Sequence, residues 1–120
     1  MKRIPLKSLP DPRFTAGTQE YEANLVDYRA VIEQAVRVPL DRQAGASIDE
    51  MRKGIRVLDA LEDSEPGLHP DADDVLVLED ADWDYLKTKV EKMPWSMVDR
   101  RFVEFYDDVM GAHNGLVHPD

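Results

Sequence analysis

Four stretches of the chain repeat apolar residues at intervals of three and four, the spacing of a helix with one buried face. In the first stretch the repeat is carried by Tyr21, Leu25, Tyr28 and Ile32. Prolines or glycines close all four stretches, as expected at helix ends. The pattern predicts a mainly α protein, a small four-helix domain whose helices cover residues 18–38, 47–63, 79–93 and 96–111.

Local signals mark where these helices begin. Ser47 and Glu50 form an S-x-x-E capping box at the start of the second helix. Thr18, Asp80 and Ser96 are the expected N-caps of the first, third and fourth helices. The apolar spacing places Met51, Ile55, Leu58 and Leu61 of the second helix and Val98, Phe102 and Val109 of the fourth on inward faces.

Residues 1–13 differ from the rest of the chain. They contain three prolines, four basic residues and one acid, which predicts an extended basic arm. Ile4, Leu6 and Leu9 give this arm apolar anchors. It either folds back on the acidic surface of its own chain or docks on a neighbouring subunit. The expected organisation is an arm at residues 1–13, a helical domain at 14–112 and a flexible tail at 113–120.

The sequence VLVL at residues 75–78 is too short for a helix. It is either one short strand or a buried extended connector. A single strand needs a partner, and the candidates are the RIPL sequence of the arm or another chain. Pro5 restricts such a strand to the edge of a sheet.

Composition narrows the functional classes. The formal net charge is −10, so nucleic acids and anionic membranes repel the chain, and direct contact with either is not expected. The sequence has no cysteine, no run of eighteen apolar residues and no secretory signal. These features favour a protein of the cytoplasm.

Residues 57–86 hold eleven carboxylates and no lysine or arginine. Three interpretations stay open: a solvated acidic face, a docking surface for a basic partner, and a mimic of nucleic acid. An EF-hand-like frame would use Asp71, Asp73, Glu79 and Asp82, but Leu76 stands where the calcium loop needs glycine. A calcium site is therefore not expected.

Catalytic motifs are missing from the sequence. It has neither a nucleophile elbow nor a glycine-rich phosphate loop. His69, His113 and His118 lack the spacing and the third ligand of a metal site. We therefore expect no enzyme activity, no cofactor and no metal.

Several short sequences follow one another along the chain, among them DYRAVIEQAV, DEMRKGIRVLDALE, LEDADWDYLKTKVEKMPW and VDRRFVEFYDDV. Over about residues 20–110 the chain resembles small acidic proteins encoded among phage and prophage head and tail genes, some similar to tail assembly chaperones. The resemblance implies a non-catalytic role in virion assembly, as a chaperone or a minor structural component. Its partner would be a phage structural protein, in the host cytoplasm or the virion, and a homo-oligomer stays open.

An acidic inhibitor that mimics nucleic acid and blocks a host nucleic-acid-binding protein is the alternative function. Mimicry would depend on salt and on the acidic side chains, whereas assembly would depend more on the arm and on Trp95. The expected partner-binding residues are Arg3, Ile4, Leu6, Lys7, Leu9, Asp71, Asp73, Asp74, Asp80, Asp82 and Trp95.

Overall fold

The structure, a computed structural model, describes residues 1–67, 69, 72–95 and 98–112. This part of the chain is an α+β fold, so the prediction of a mainly α four-helix domain is wrong. In chain order the elements are β1 Lys2–Pro5, β2 Ser8–Leu9, α1 Gln19–Ala23, β3 Val26–Asp27, α2 Tyr28–Arg37, α3 Ile48–Glu62, β4 Val75–Leu78, α4 Asp80–Glu91 and α5 Arg100–Met110.

β1 and β4 form a two-stranded antiparallel sheet. The register pairs Ile4 with Leu76, and both side chains are fully buried because alternate residues of each strand point to the core. Of the alternatives left open for residues 75–78, the structure therefore has the strand, with the N-terminal segment as its partner. β1 and β2 lie within the folded domain, and the tail at residues 113–120 lies outside the described residues.

The first predicted helix is interrupted. α1 starts after Thr18, whose side chain accepts a hydrogen bond from Tyr21 N as expected of an N-cap. It ends after five residues, and β3 follows because Val26 pairs with Leu9 of β2. α2 then begins behind a new N-cap, Asp27. The pairing of β2 with β3 overrides the local helical pattern at this point.

The other three helices start close to the predicted positions. Ser47 caps α3 through a hydrogen bond from Glu50 N, as the capping box predicts. The N-cap position of α4 is Glu79 rather than Asp80, and it makes no side-chain cap bond. α5 starts at Arg100 behind the N-cap Asp99, and the predicted N-cap three residues earlier, Ser96, lies outside the described residues.

The inward faces of two helices also need correction. α3 buries Gly54, Val57 and Leu61, whereas Met51 and Ile55 are exposed. A Cβ at Gly54 would lie 3.1 Å from Val36 Cγ1, so glycine permits the close contact between α2 and α3. Val98, expected inside, is fully exposed. The buried core consists of Ile4, Leu6, Tyr28, Ile32, Ala35, Val36, Val57, Leu61, Leu76, Leu78, Leu86, Val90, Phe105 and Val109.

Candidate functional site

The predicted partner-binding residues of the N-terminal segment are largely engaged within the chain. Arg3 Nη1 donates to Glu65 Oε2 at 2.8 Å, and Leu9 is half-buried in the pairing of β2 with β3. Ile4 and Leu6 are core residues, so the expectation that they contact a partner is corrected. Lys7 Nζ lies 3.0 Å from an oxygen of a carboxylate on α5. The basic segment therefore binds its own domain.

A polar cluster of Lys7, Tyr28 and Asp108 joins this segment to α2 and α5. The Tyr28 hydroxyl donates to Asp108 Oδ2 at 2.6 Å. Burial, and then this hydrogen bond, raises the pKa of Tyr28, so the hydroxyl remains protonated. Partial burial is the largest single influence and opposes the ionised form of Lys7, but the hydrogen bonds and charges of Asp108 and Glu104 together outweigh it and raise the pKa of Lys7. Neither group is prepared to act as a base near neutral pH, and the cluster is suited to holding the segment in place.

Arg101 makes a second connection to the N-terminal segment. Its Nη1 donates to the carbonyl of Leu9 at 3.2 Å and to that of Asn24 at 2.6 Å, and its Nη2 lies 2.7 Å from Asp99 Oδ2. The buried Asp11 carboxylate lies 3.7 Å from the same nitrogen.

Both carboxylates of this cluster are held in the ionised form. Hydrogen bonds from the Arg13 side chain and backbone lower the pKa of Asp11 to about 2. Hydrogen bonds from Arg101 lower the pKa of Asp99. The cluster therefore consists of paired charges with a structural role.

The acidic stretch is divided by β4, a strand of four residues and roughly 13 Å in length. On the side of α3, Asp74 pairs with Arg29 at 3.2 Å. On the side of α4, Asp82 pairs with Arg56 at 3.0 Å. Asp73 and Asp80 are exposed and form no ion pair within the described part of the chain, whereas Asp71 lies outside it.

Lys89 is a buried cation between α2 and α4. Its Nζ donates to the carbonyl of Val38, at the C-terminal end of α2, where a positive charge is favourable. Burial lowers the pKa of Lys89, and the nearby Glu50 carboxylate, at 3.8 Å, opposes that shift. A shallow cleft close by, lined in part by Leu40 and Met93, has a volume of about 190 Å³. Ligand pockets usually exceed ~300 Å³, so the cleft does not favour a small-molecule site.

The described residues contain neither a candidate metal site nor a membrane-spanning helix. Among the residues that the structure describes, no three His, Asp or Glu side chains are grouped so that they could hold a metal ion. His113 and His118 are outside those residues. None of the helices in the described ranges has the length and apolar character needed to cross a bilayer.

Trp95 is half-buried between α4 and α5. Its ring stacks on Phe102 with centroids 4.9 Å apart and meets the edge of Phe105 at 6.0 Å. Val98 and Val103, which flank Phe102 in the sequence, are exposed. We call Trp95, Val98, Phe102 and Val103 the α5 apolar surface.

A second apolar surface lies on α3 and was missed from the sequence. Ile48, Met51 and Ile55 are 62%, 49% and 55% exposed. Their spacing of three and four residues puts them on one side of α3, away from Val57 and Leu61. α3 thus has two apolar stripes, one buried and one exposed. Its apolar residues cover too wide a part of the helix circumference for a single buried face, and this width was the sequence signal for a second surface. We call Ile48, Met51 and Ile55 the α3 outer face.

Within the described residues the polar clusters are thus paired, and the exposed features include the two apolar surfaces and acids such as Asp73 and Asp80 that form no ion pair there. Comparison of the chain with protein-family models, with curated proteins and with solved structures gives no match.

Proposed function

We propose that the chain is a non-catalytic protein-interaction protein of phage or prophage origin that acts in virion head or tail assembly, as a chaperone or minor structural component. The observation that carries the proposal is that large apolar side chains remain exposed on α3 and α5 of a strongly acidic chain. The phage assignment is supported by the resemblance of residues 20–110 to proteins of head and tail gene clusters.

A protein partner suits these surfaces better than nucleic acid does. Aromatic residues are enriched in protein interfaces and charged residues are depleted at their centres, and the α5 apolar surface comprises a half-buried tryptophan stacked on Phe102 and two exposed valines. A net charge of −10 repels phosphate backbones at long range. The partner is therefore expected to bind the exposed apolar side chains and to have a surface that the negative charge of this chain does not repel.

A non-catalytic role is supported by the polar clusters. Tyr28 and Asp108 satisfy each other, as do Arg101 and Asp99, and the pKa directions hold Tyr28 protonated and Asp99 ionised. General acid–base catalysis needs groups whose pKa lies near the working pH and that reach a substrate. These groups instead connect elements of the fold.

Charge mimicry of nucleic acid is the alternative, and it is favoured by the exposed Asp73 and Asp80, which form no ion pair with any residue that the structure describes. Four of the ten carboxylates of residues 57–86 that the structure describes are ion-paired with basic side chains of the same chain. β4 also separates the acids into two groups. Mimicry of nucleic acid requires a continuous line of phosphate-like charges, and it is therefore less well supported than a docking surface for a protein partner.

The experiment compares three forms of the chain: wild type, Val103→Ser, and the double variant Asp73→Asn, Asp80→Asn. Each is immobilised and exposed to lysate of phage-producing cells at about 0.1 M and about 0.5 M salt, where surface attraction is largely screened. Val103 is exposed and off the core, so its replacement leaves the fold intact.

Assembly predicts capture of a head or tail protein that persists at the higher salt and is lost with Val103→Ser. Mimicry predicts a DNA- or RNA-binding protein that is lost at the higher salt and with the Asp73 and Asp80 variant. Equal capture by all three forms, at both salt concentrations, would refute both functions. Circular dichroism of the variants checks that each is folded.

A further inference from the structure

Two charged side chains beside the α3 outer face lack a partner in the described part of the chain. Arg52 and Asp59 are both exposed and form no ion pair there. They are seven residues apart, about 10 Å along the helix, which is too far for a direct bond to each other. The neighbouring cations Lys53 and Arg56 are already paired, within α3 at 3.2 Å and to α4 at 3.0 Å.

We propose that the α3 outer face binds the same face of a second copy of this chain, with the two helices antiparallel and the two-fold axis beside Ile55. At about 100° per residue, Arg52 and Asp59 lie roughly 60° and 40° to one side of Ile55. Met51 and Leu58 lie roughly 40° and 60° to the other side. The face therefore has one charged flank and one apolar flank, with Ile55 between them.

Antiparallel pairing about Ile55 makes this face complementary to itself. A two-fold axis brings each residue opposite residues that lie about as far on the other side of Ile55, and it brings the same flank of each helix together. The resulting pairs match to within one residue, about 1.5 Å along the helix. Ile55 then meets Ile55, Met51 meets Leu58, and Arg52 meets Asp59, the last two pairs occurring twice. A parallel pairing would instead set the charged flank of one copy against the apolar flank of the other.

The ends of the proposed interface are more polar than its centre. Ile48 falls opposite Glu62 of the second copy, where the carboxylate can remain in water. α3 has fifteen residues and is about 22 Å long, so one helix pair forms a small interface. Interfaces below about 1,200 Å² are typical of weak complexes, and we expect a dissociation constant in the micromolar range.

The test measures the mass of the full chain by sedimentation equilibrium from about 1 to about 500 μM, a range that spans such a constant. Wild type is expected to pass from monomer to dimer. Arg52→Asp places two acids opposite two acids, and Asp59→Arg places arginines opposite arginines. Each variant alone is expected to raise the dissociation constant about tenfold or more.

An equimolar mixture of the two variants tests the proposed pairing of Arg52 with Asp59 most directly. In an Arg52→Asp, Asp59→Arg heterodimer each aspartate faces an arginine, so the equimolar mixture should form a dimer at concentrations where either variant alone is a monomer. The matched control is Lys53→Asp, a charge reversal one residue away that lies off the face and should leave the dissociation constant within about twofold of wild type.

A wild-type chain that stays monomeric up to the highest concentration overturns the proposal. So does a mixture that associates no better than its components, because the antiparallel register requires the rescue. Ile55→Ser should also abolish the dimer while circular dichroism remains unchanged. Self-association through α3 does not use the α5 apolar surface, so the Val103→Ser variant should still dimerise. Loss of partner capture would therefore leave the proposed dimer untouched, and loss of the dimer would leave partner capture untouched.

Discussion

Ile4→Ala tests whether the N-terminal segment is part of the folded domain. Ile4 is fully buried in β1, and its cross-strand partner Leu76 is fully buried in β4. An arm that docks on another subunit would expose this side chain in the isolated chain. The two arrangements therefore predict different costs for the same substitution.

The expected cost follows from burial. Removing three carbons from a fully buried isoleucine leaves a cavity, and such changes destabilise by about 2–5 kcal/mol. At roughly 4 °C per kcal/mol for a domain of this size, the melting temperature should fall by about 8–20 °C. Ile55→Ala is the matched control because Ile55 is 55% exposed on α3, and its effect should stay within about 0.5 kcal/mol.

Urea unfolding followed by circular dichroism provides the measurement, at a protein concentration low enough to keep the chain monomeric. The difference in unfolding free energy between Ile4→Ala and Ile55→Ala should exceed about 1.5 kcal/mol. Equal and small effects of both changes would show that β1 is not packed in solution. The pairing of β1 with β4 would then be refuted.

Three further changes test the polar clusters by the same urea assay. Tyr28→Phe removes the hydrogen bond to Asp108 and should cost about 1–2 kcal/mol, and no loss would contradict that bond. Arg101→Met removes the side-chain donor of two backbone carbonyls and of the Asp99 carboxylate, which keeps only its bond from the backbone N–H of residue 101, and should cost about 2–3 kcal/mol. The exposed Arg100→Met should change stability little. Because the folded-state pKa of Asp11 is about 2, below its ordinary 3.8, its contribution is complete above 3.8 and is lost as the pH falls through about 2. Asp11→Asn should therefore flatten the loss of stability across that acid range, and an unchanged pH profile would argue against the Arg13 contacts.

The sequence was most informative where the signal was local. The capping box at Ser47 and Glu50 lies within one turn of α3, and the structure places the cap there. Apolar periodicity likewise located α4 and α5 to within a few residues. These features need only neighbours along the chain, which a single sequence displays.

The sheets could not be predicted with the same certainty because they depend on residues far apart. Val26 lies in a strand and pairs with Leu9, which is far from it in the sequence. Residues 18–38 contain no local signal that predicts a strand over the helix that their apolar spacing indicates. The pairing of residues 2–5 with 75–78 was one of two open alternatives for the VLVL sequence. Only the position of a partner strand decides between a strand and a connector.

The candidate surfaces show a similar limit. Met51 and Ile55 satisfy the spacing of a buried stripe, but Gly54 and Val57 satisfy it as well on a different side of α3. The close contact that Gly54 allows with Val36 selects the second side for the core. The first side is left exposed, and a periodicity argument alone cannot rank the two.

The charge of the whole chain bears on how the two proposed interactions respond to salt. Two copies of net charge −10 with centres about 25 Å apart repel by an unscreened energy of roughly 16 kcal/mol in water, an upper bound because the charges are spread over the surface. At about 0.1 M salt the Debye length is about 10 Å, which removes most of this repulsion. Two exposed Arg52–Asp59 pairs contribute only about 0.2–1 kcal/mol each, so the change in repulsion outweighs the change in attraction.

Raising salt from about 0.02 to about 0.1 M should therefore tighten the α3 dimer, whereas a basic partner held by the acidic surface should be released. Sedimentation at the two salt concentrations measures the direction, and a dimer that weakens with salt would show that ion pairs rather than the apolar face hold the two copies together.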